Sequence, residues 1–115
     1  MPQDRSAADR MAGNKAGDMA LALRALAMLD LTDLSDQCSE AAIVQLCARA
    51  VGPPAPVAAI CIWPRHVTVA RRVLGDSTVK VATVVNFPAG GTNVGRIASD
   101  VTEAIGDGAQ EIDLV

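Results

Sequence analysis

Two almost continuous apolar runs, at residues 57–63 and 79–85, constrain the fold of this chain more than any other feature. Each is short and is preceded within a few residues by glycine, proline or serine, as is typical of strands buried on both faces. A third run, at residues 111–115, begins the same way after two glycines. Segments with apolar residues at helical spacing separate the runs. This alternation predicts a parallel sheet with right-handed helical crossovers.

The first part of the chain adds two helices and a short strand to this pattern. Residues 1–17 are polar and rich in Ala and Gly, and we expect a disordered tail there, with residues 18–115 forming the domain. A helix is predicted from Asp18, and residues 30–34 then form a short strand or turn. Ser39 opens the next helix, whose buried stripe is Ile43, Leu46 and Cys47.

Two further helices follow the two buried runs. Pro64 stands in the first turn of the helix predicted over residues 66–74. The fourth helix carries one apolar face, and Gly106 and Gly108 end it; that face consists of Ile97, Val101, Ala104 and Ile105. Both a barrel and an open doubly wound sheet fit this order of elements.

Charge and composition exclude several classes of function. The net charge is −3, and the one adjacent basic pair, Arg71-Arg72, is predicted to lie on a solvated helix face, so no nucleic-acid surface is expected. Every apolar run is too short to cross a bilayer, and the first residues lack a secretory pattern. We therefore expect a cytoplasmic protein with no membrane partner.

The cysteines and the single histidine predict neither disulfides nor a metal site. Cys38, Cys47 and Cys61 are odd in number and have no Cys-x-x-Cys spacing, while His66 is the only histidine. Free thiols indicate a reducing compartment. The favoured interpretation of Cys61, in the middle of a strand, is a small buried apolar residue.

Asp113 is a carboxylate inside an apolar strand, and alternation places it on the same face as Glu111. A buried carboxylate needs a partner or a raised pKa, and at the carboxyl end of a barrel strand it would lie where catalysis occurs. A strand-end residue that caps a loop is an equal alternative. Asp30 is either a turn former or an acid of the site. The loop glycines Gly90-Gly91 are more simply flexible than phosphate-binding.

Four segments together resemble the deoxyribose-phosphate aldolase family. They are AMLDLTDL at 27–34, AAICIWPR at 58–65, VATVVNFP at 81–88 and EIDLV at 111–115, in the family's order and at similar spacings. The resemblance covers roughly residues 19–115. It implies a (β/α)8 TIM barrel, present here as a partial barrel of about four βα units with an N-terminal helix.

The resemblance also implies a class I aldolase, a lyase of deoxyribonucleotide catabolism that needs no cofactor. Such enzymes reversibly cleave 2-deoxyribose 5-phosphate to glyceraldehyde 3-phosphate and acetaldehyde through a Schiff base on a strand-6 lysine. Asp113 matches the proton-shuttling aspartate, and Asp30 matches an acid at the pocket floor. Cys61 matches a residue near the acetaldehyde end of the site. Thr32 and Asn86 are expected to line the pocket.

This sequence departs from the family in its length and its lysines. A TIM barrel takes ~250 residues, whereas 115 are present, with Lys15 and Lys80 the only lysines. Neither matches the Schiff-base lysine, and the phosphate-binding loops after strands 7 and 8 are also lacking. We expect a complementary C-terminal half or a homo-oligomer as partner. The alternative is a truncated, non-catalytic fragment that only self-associates or binds a partner.

The resemblance further predicts where three of these side chains lie. Cys61 and Asp113 should point into the same enclosed interior, and Asp30 should lie near the carboxyl ends of their strands.

Overall fold

The computed structural model describes residues 7–115, apart from the side chains of residues 8, 9 and 12. Helices and strands alternate along this part of the chain, as the apolar pattern predicts. In order they are α1 (Ala7–Leu26), β1 (Asp30–Asp33), α2 (Glu40–Val51), β2 (Ala59–Ile62), a 3₁₀ turn (Pro64–His66), α3 (Val67–Leu74), β3 (Lys80–Val85), α4 (Val94–Asp107) and β4 (Glu111–Leu114).

The four strands form one parallel sheet in the order β1-β2-β3-β4. A doubly wound sheet reverses its strand order at a switch point, whereas a barrel adds each strand beside the one before it. The sequential order therefore selects the barrel over the open sheet. The described chain is a partial barrel in which β1 and β4 are the edges.

The two faces of the sheet differ in what covers them. On the outer face, strand residues such as Ile60, Ile62 and Val81 pack with the buried stripes of α2 and α3 and with Ala104 of α4 in one core. On the inner face, a smaller cluster of Cys61, Ala82 and Val84 packs with Leu34 and Trp63. Helices thus cover the outer face, as in a barrel wall.

Ser39 starts α2 and Gly108 ends α4, as the sequence predicts, whereas Gly106, which was also predicted to end α4, lies inside that helix. Ser39 caps α2, because its hydroxyl accepts a hydrogen bond from the Ala42 amide at 3.1 Å. Gly108 ends α4 in the left-handed region, at φ 114°, and its amide donates to the carbonyls of Ala104 and Ile105. The predicted stripe of Ile43, Leu46 and Cys47 is buried.

Two further predictions about the helices are wrong. Asp18 does not start the first helix, since α1 already begins at Ala7 and runs through part of the predicted tail. The Ala-rich composition explains this, because alanine has the highest helix propensity and Gly13 and Gly17 do not outweigh it. The first six residues of that tail lie outside the described residues. Ile105 was expected on the buried face of α4, but it is 57% exposed because only Ala104 reaches the sheet fully.

No helix within residues 7–115 is long and apolar enough to cross a membrane.

Candidate active site on the inner face of the sheet

Strand alternation and register bring polar side chains from three strands onto the inner face. Thr32 of β1 pairs with Cys61 of β2, Cys61 pairs with Ala82 of β3, and Ala82 pairs with Glu111 of β4. Because side chains alternate between the two faces of each strand, residues that are paired in one register row point to the same side. Thr32, Cys61 and Glu111 therefore form one row across the inner face.

The remaining carboxylates of this face lie one step above and one step below that row. Asp113 pairs with Val84, two residues further toward the carboxyl edge. Asp30 pairs with Ala59, two residues toward the amino edge. The prediction that Asp30 lies near the carboxyl ends of the strands is therefore wrong, because Asp30 is the first residue of β1. Its other expected place, the floor of a pocket that opens at the carboxyl edge, stays a prediction.

The electrostatics of Cys61 agree with this placement of the carboxylates. Burial raises the pKa of the Cys61 thiol, and the negative charges of Asp113, Asp30 and Glu111 raise it further. The side chain is 5% exposed. At neutral pH it is therefore a protonated thiol, which is a poor nucleophile and suits a wall of the site better than a covalent role.

Asp113 faces the same side as Cys61, as predicted, but the prediction of an enclosed interior is wrong for the described residues, because four strands do not enclose Asp113. Asp113, Asp30, Glu111 and Thr32 are all exposed. Four parallel strands curve without closing, since a barrel of this type takes eight. Cys61 is buried even so, because Trp63 and Leu34 pack over the small residues around it.

Asn86 follows β3 directly and holds two parts of the chain together. Its Nδ2 donates to the carbonyl of Gly91, in the loop before α4, and to the carbonyl of Val115, each at 2.8 Å. Its backbone has φ 60°, a conformation that asparagine tolerates better than most residues. A side-chain amide has two donor hydrogens, and both are used here. Only the carbonyl oxygen Oδ1 remains for a role in lining the pocket.

A cleft of about 370 Å³ lies at the carboxyl ends of β2 and β3, against α4. Trp63, Arg65 and Phe87 form one wall, and carboxylates of α4 form the other. Neither Cys61 nor Asp113 lines it. We place the candidate site on the inner face, because the protonated thiol and its neighbouring carboxylates are there, and chemistry in this class of barrel occurs inside its carboxyl edge.

Both lysines lie away from the carboxyl edge of the inner face. Lys80 is the first residue of β3, as predicted, and pairs with Ala59 at the amino edge. Lys15 is exposed on α1. In the part of the chain that the structure covers, no group of three His, Cys, Asp or Glu side chains could hold a metal ion.

Two residues that sequence patterns did not single out position the strands of this face. The Thr83 hydroxyl, fully buried, donates to the Ile62 carbonyl at 2.7 Å. Gln110 lies just before β4. Its backbone amide donates to the Val81 carbonyl at 2.8 Å, and its side-chain Oε1 accepts from the Val81 backbone amide at 3.1 Å. A polar residue within or beside an apolar run was the only available signal for either.

No family model matches the chain. Among curated proteins, it is 50% identical over 91 residues to a protein of Agrobacterium fabrum named deoxyribose-phosphate aldolase. The matched segment covers 78% of this chain and 35% of that protein. The chain thus covers about a third of the length of this curated relative.

Solved structures show the same partial correspondence. A protein from Coccidioides immitis, described as a deoxyribose-phosphate aldolase, superposes with a TM-score of 0.72 at 28% identity, over 80% of this chain and 36% of that one. The deoxyribose phosphate aldolase of Aeropyrum pernix, described as a tetramer, superposes with a TM-score of 0.69 at 20% identity, over 77% of this chain and 37% of that one. The second similarity is one of fold alone. Sequence identity and barrel fold together assign this chain to the deoxyribose-phosphate aldolase family, of whose barrel it forms a part.

Proposed function

We propose that this chain supplies the first four βα units of a Schiff-base aldolase that cleaves 2-deoxyribose 5-phosphate to glyceraldehyde 3-phosphate and acetaldehyde. The observation that carries the proposal is the position of Asp113. It lies at the carboxyl end of the inner face, one step beyond the row that contains the buried thiol of Cys61. A carboxylate there is well placed to move protons at a carbon held over the sheet.

The reaction assigns a role to this carboxylate. A lysine amine condenses with the aldehyde carbon of the open-chain sugar and releases water, which leaves a cationic iminium. A base then removes the proton of the C3 hydroxyl, and the C2–C3 bond breaks. C3 becomes the aldehyde carbon of glyceraldehyde 3-phosphate, which leaves, and the electron pair of the broken bond passes into the iminium to give an enamine. The enamine is protonated at C2, and water hydrolyses the imine to acetaldehyde and free amine. Asp113, acting through water, accepts the first proton and returns one to C2.

The other inner-face residues shape the site around that step. The protonated thiol of Cys61 gives a compact, weakly polar wall for the two-carbon unit, and the Thr32 hydroxyl beside it can hydrogen-bond the substrate. Asp30, at the amino edge, contributes negative charge at the floor, where it favours an ammonium or iminium group. Asn86 offers its Oδ1 at the carboxyl edge.

The amine and the phosphate-binding groups must come from outside these 115 residues. Lys15 and Lys80 lie far from the carboxyl edge, and an amine reacts with an aldehyde only when it is held beside the carbon in its neutral form. We propose that further βα units, in a complementary C-terminal half, pack against the exposed edge of β4.

A second candidate function is association without catalysis, either with a further copy of the chain or with another partner. It is favoured by the apolar edge of β4, where Leu114 is 59% and Val115 is 49% exposed. An uncovered parallel edge strand with apolar side chains readily adds another strand. Association through this edge and assembly of the active site exclude one another if the same edge is used.

The test compares the purified chain with a graft that joins it to the remainder of the Agrobacterium fabrum relative, in place of the matching segment. We expect no cleavage of 2-deoxyribose 5-phosphate by the chain alone, and cleavage by the graft. Asp113→Asn in the graft should lower kcat by about 10²- to 10⁴-fold while acetaldehyde and borohydride still trap the imine. An active chain with an adduct on Lys80, or an Asp113→Asn graft with full activity, would overturn the proposal.

A further inference from the structure

Both ends of β4 are tied to β3 by a carboxamide side chain. At the amino end, Gln110 forms two hydrogen bonds with the backbone of Val81: its backbone amide donates to the Val81 carbonyl, and its side-chain oxygen accepts from the Val81 amide. At the carboxyl end, the Nδ2 of Asn86 donates to the Val115 carbonyl at 2.8 Å, while the Val115 amide donates to the Val85 carbonyl at 3.1 Å. Asp113 lies between these ties.

The tie at the carboxyl end also includes the loop between β3 and α4. The second Nδ2 hydrogen of Asn86 reaches the Gly91 carbonyl at 2.8 Å, and the Gly90 amide donates to the Asn86 carbonyl at 2.9 Å. One side chain thus joins the end of β3, this loop and the end of β4. Asn86 can do so because its backbone adopts φ 60°, which turns the side chain back across the strand end.

We infer that Asn86 is a positioning residue, which fixes the position of the Asp113 carboxylate on the inner face by holding the carboxyl end of β4. We call its two hydrogen bonds, to the carbonyls of Gly91 and Val115, the clamp. The inference rests on the proposed function, in which Asp113 moves protons. Asp113 is two residues from Val115 on β4, and its register partner Val84 is two residues from Asn86 on β3. A slip at the clamp therefore moves Asp113 directly, because the hydrogen-bonded residues are only two positions from Asp113 and from its register partner.

Chemistry explains why displacement would matter. A misplacement of about 1 Å between a catalytic group and the reacting atom can lower a rate by about 10²-fold. The clamp does not touch the carbon that reacts with the amine, so imine formation should not depend on it. Loss of the clamp should therefore slow proton transfer and leave imine formation intact.

Two substitutions of Asn86 separate the clamp from the backbone conformation. Asn86→Gly keeps the positive φ accessible and removes the side chain. Asn86→Asp keeps the shape but replaces the donor Nδ2 with an acceptor, which repels the carbonyls of Gly91 and Val115. The matched control is Gln110→Glu, which keeps the acceptor that receives the Val81 amide at the other end of β4.

The first measurement is amide hydrogen exchange in the 115-residue chain. We expect exchange at the Val115 amide to accelerate by about fivefold in both Asn86 variants, as for one lost hydrogen bond, with the Gln110 and Ile60 amides unchanged. Faster exchange throughout the sheet would mean general destabilisation. If the Val115 amide then accelerates no more than the Gln110 and Ile60 amides do, the inference is overturned.

The second measurement uses the active graft described above. We expect kcat to fall by about 10- to 100-fold in Asn86→Gly, with borohydride trapping nearly unchanged, and Gln110→Glu to retain activity. If the wild-type graft is active and Asn86→Gly keeps its kcat, the inference fails while the proposed function stands. If the wild-type graft is inactive, the proposed function fails and the catalytic role of the clamp fails with it; exchange at Val115 then still decides whether Asn86 holds β4.

Discussion

The Cys61 thiol and the Asp113 carboxylate lie on the same face of the sheet, in successive register rows, although they come from strands separated by a third. Burial raises the pKa of Cys61, and the charge of Asp113 is the largest electrostatic contribution to the same shift. The pKa of the Cys61 thiol is therefore sensitive to the charge of the Asp113 carboxylate, so the proximity of the two groups can be tested without any catalytic activity.

Removing the charge of Asp113 should make Cys61 more reactive. Asp113→Asn eliminates a nearby negative charge, so the pKa of Cys61 falls and more thiolate is present at a given pH. We expect the pH profile of Cys61 alkylation to shift to lower pH. The rate of alkylation by iodoacetamide is measured as a function of pH in a chain whose Cys38 and Cys47 are alanine. Asp76→Asn is the control, since Asp76 is not among the groups that shift this pKa. An unchanged profile in Asp113→Asn would place the two residues apart.

Replacing either of two glycines at the end of α4 by alanine should change the free energy of unfolding, but in opposite directions. Gly108 has φ 114°, and an added Cβ would overlap the Cγ of Arg71, so Gly108→Ala should lower the free energy of unfolding by about 1–3 kcal/mol. Gly106 lies inside the helix with nothing within 4 Å of an added Cβ. Gly106→Ala should therefore raise that free energy by about 0.5–1 kcal/mol. Urea denaturation of both variants measures the difference, and equal effects would contradict the assigned helix end.

The buried hydroxyl of Thr83 should contribute more to stability than an exposed one with the same bond. Thr83→Val removes the 2.7 Å hydrogen bond to the Ile62 carbonyl in a fully buried position, with an expected cost of about 1 kcal/mol. Thr102 also donates to a backbone carbonyl, that of Ala98, but is exposed. Thr102→Val should change the free energy of unfolding by less than about 0.5 kcal/mol. Thermal denaturation at pH 7 compares the pair, and a larger cost at Thr102 would contradict this account.

The pKa of Asp33 should depend on Ser35. The Ser35 hydroxyl donates to Asp33 at 2.7 Å, and it and the Ser35 amide hold the pKa of that carboxyl below its ordinary value of 3.8. Because the folded pKa is depressed, its stabilising contribution is complete above pH 3.8 and is lost as the pH falls through the lower folded value. Ser35→Ala should raise the pKa of Asp33, as followed by carboxyl-carbon NMR titration.

Ser39→Ala serves as the control for that titration. It removes the cap of α2 and should cost about 1 kcal/mol of stability, yet leave the pKa of Asp33 in place. A shift of that pKa in Ser39→Ala, or none in Ser35→Ala, would show that the carboxylate has another main partner.

Local patterns predicted most elements because each is determined by residues close in sequence. The runs at 57–63 and 79–85 became β2 and β3, and Ser39 caps α2 as its hydroxyl and position indicate. The start of α1 was missed because Gly13 and Gly17 resemble loop residues, while the alanines around them favour helix. The resemblance on four segments identified the family before any geometry was known.

The sequence by itself determined which residues alternate between buried strand and amphipathic helix, since apolar periodicity is a local property of the chain. It also placed Asp113 and Glu111 on one side of their strand. Apolar periodicity left the barrel and the open sheet as alternatives, and the tertiary structure decided between them, because that choice depends on which strands are neighbours. It likewise placed Asp30 at the amino edge and engaged both donor hydrogens of Asn86, since register and hydrogen-bond partners join residues that are distant in sequence.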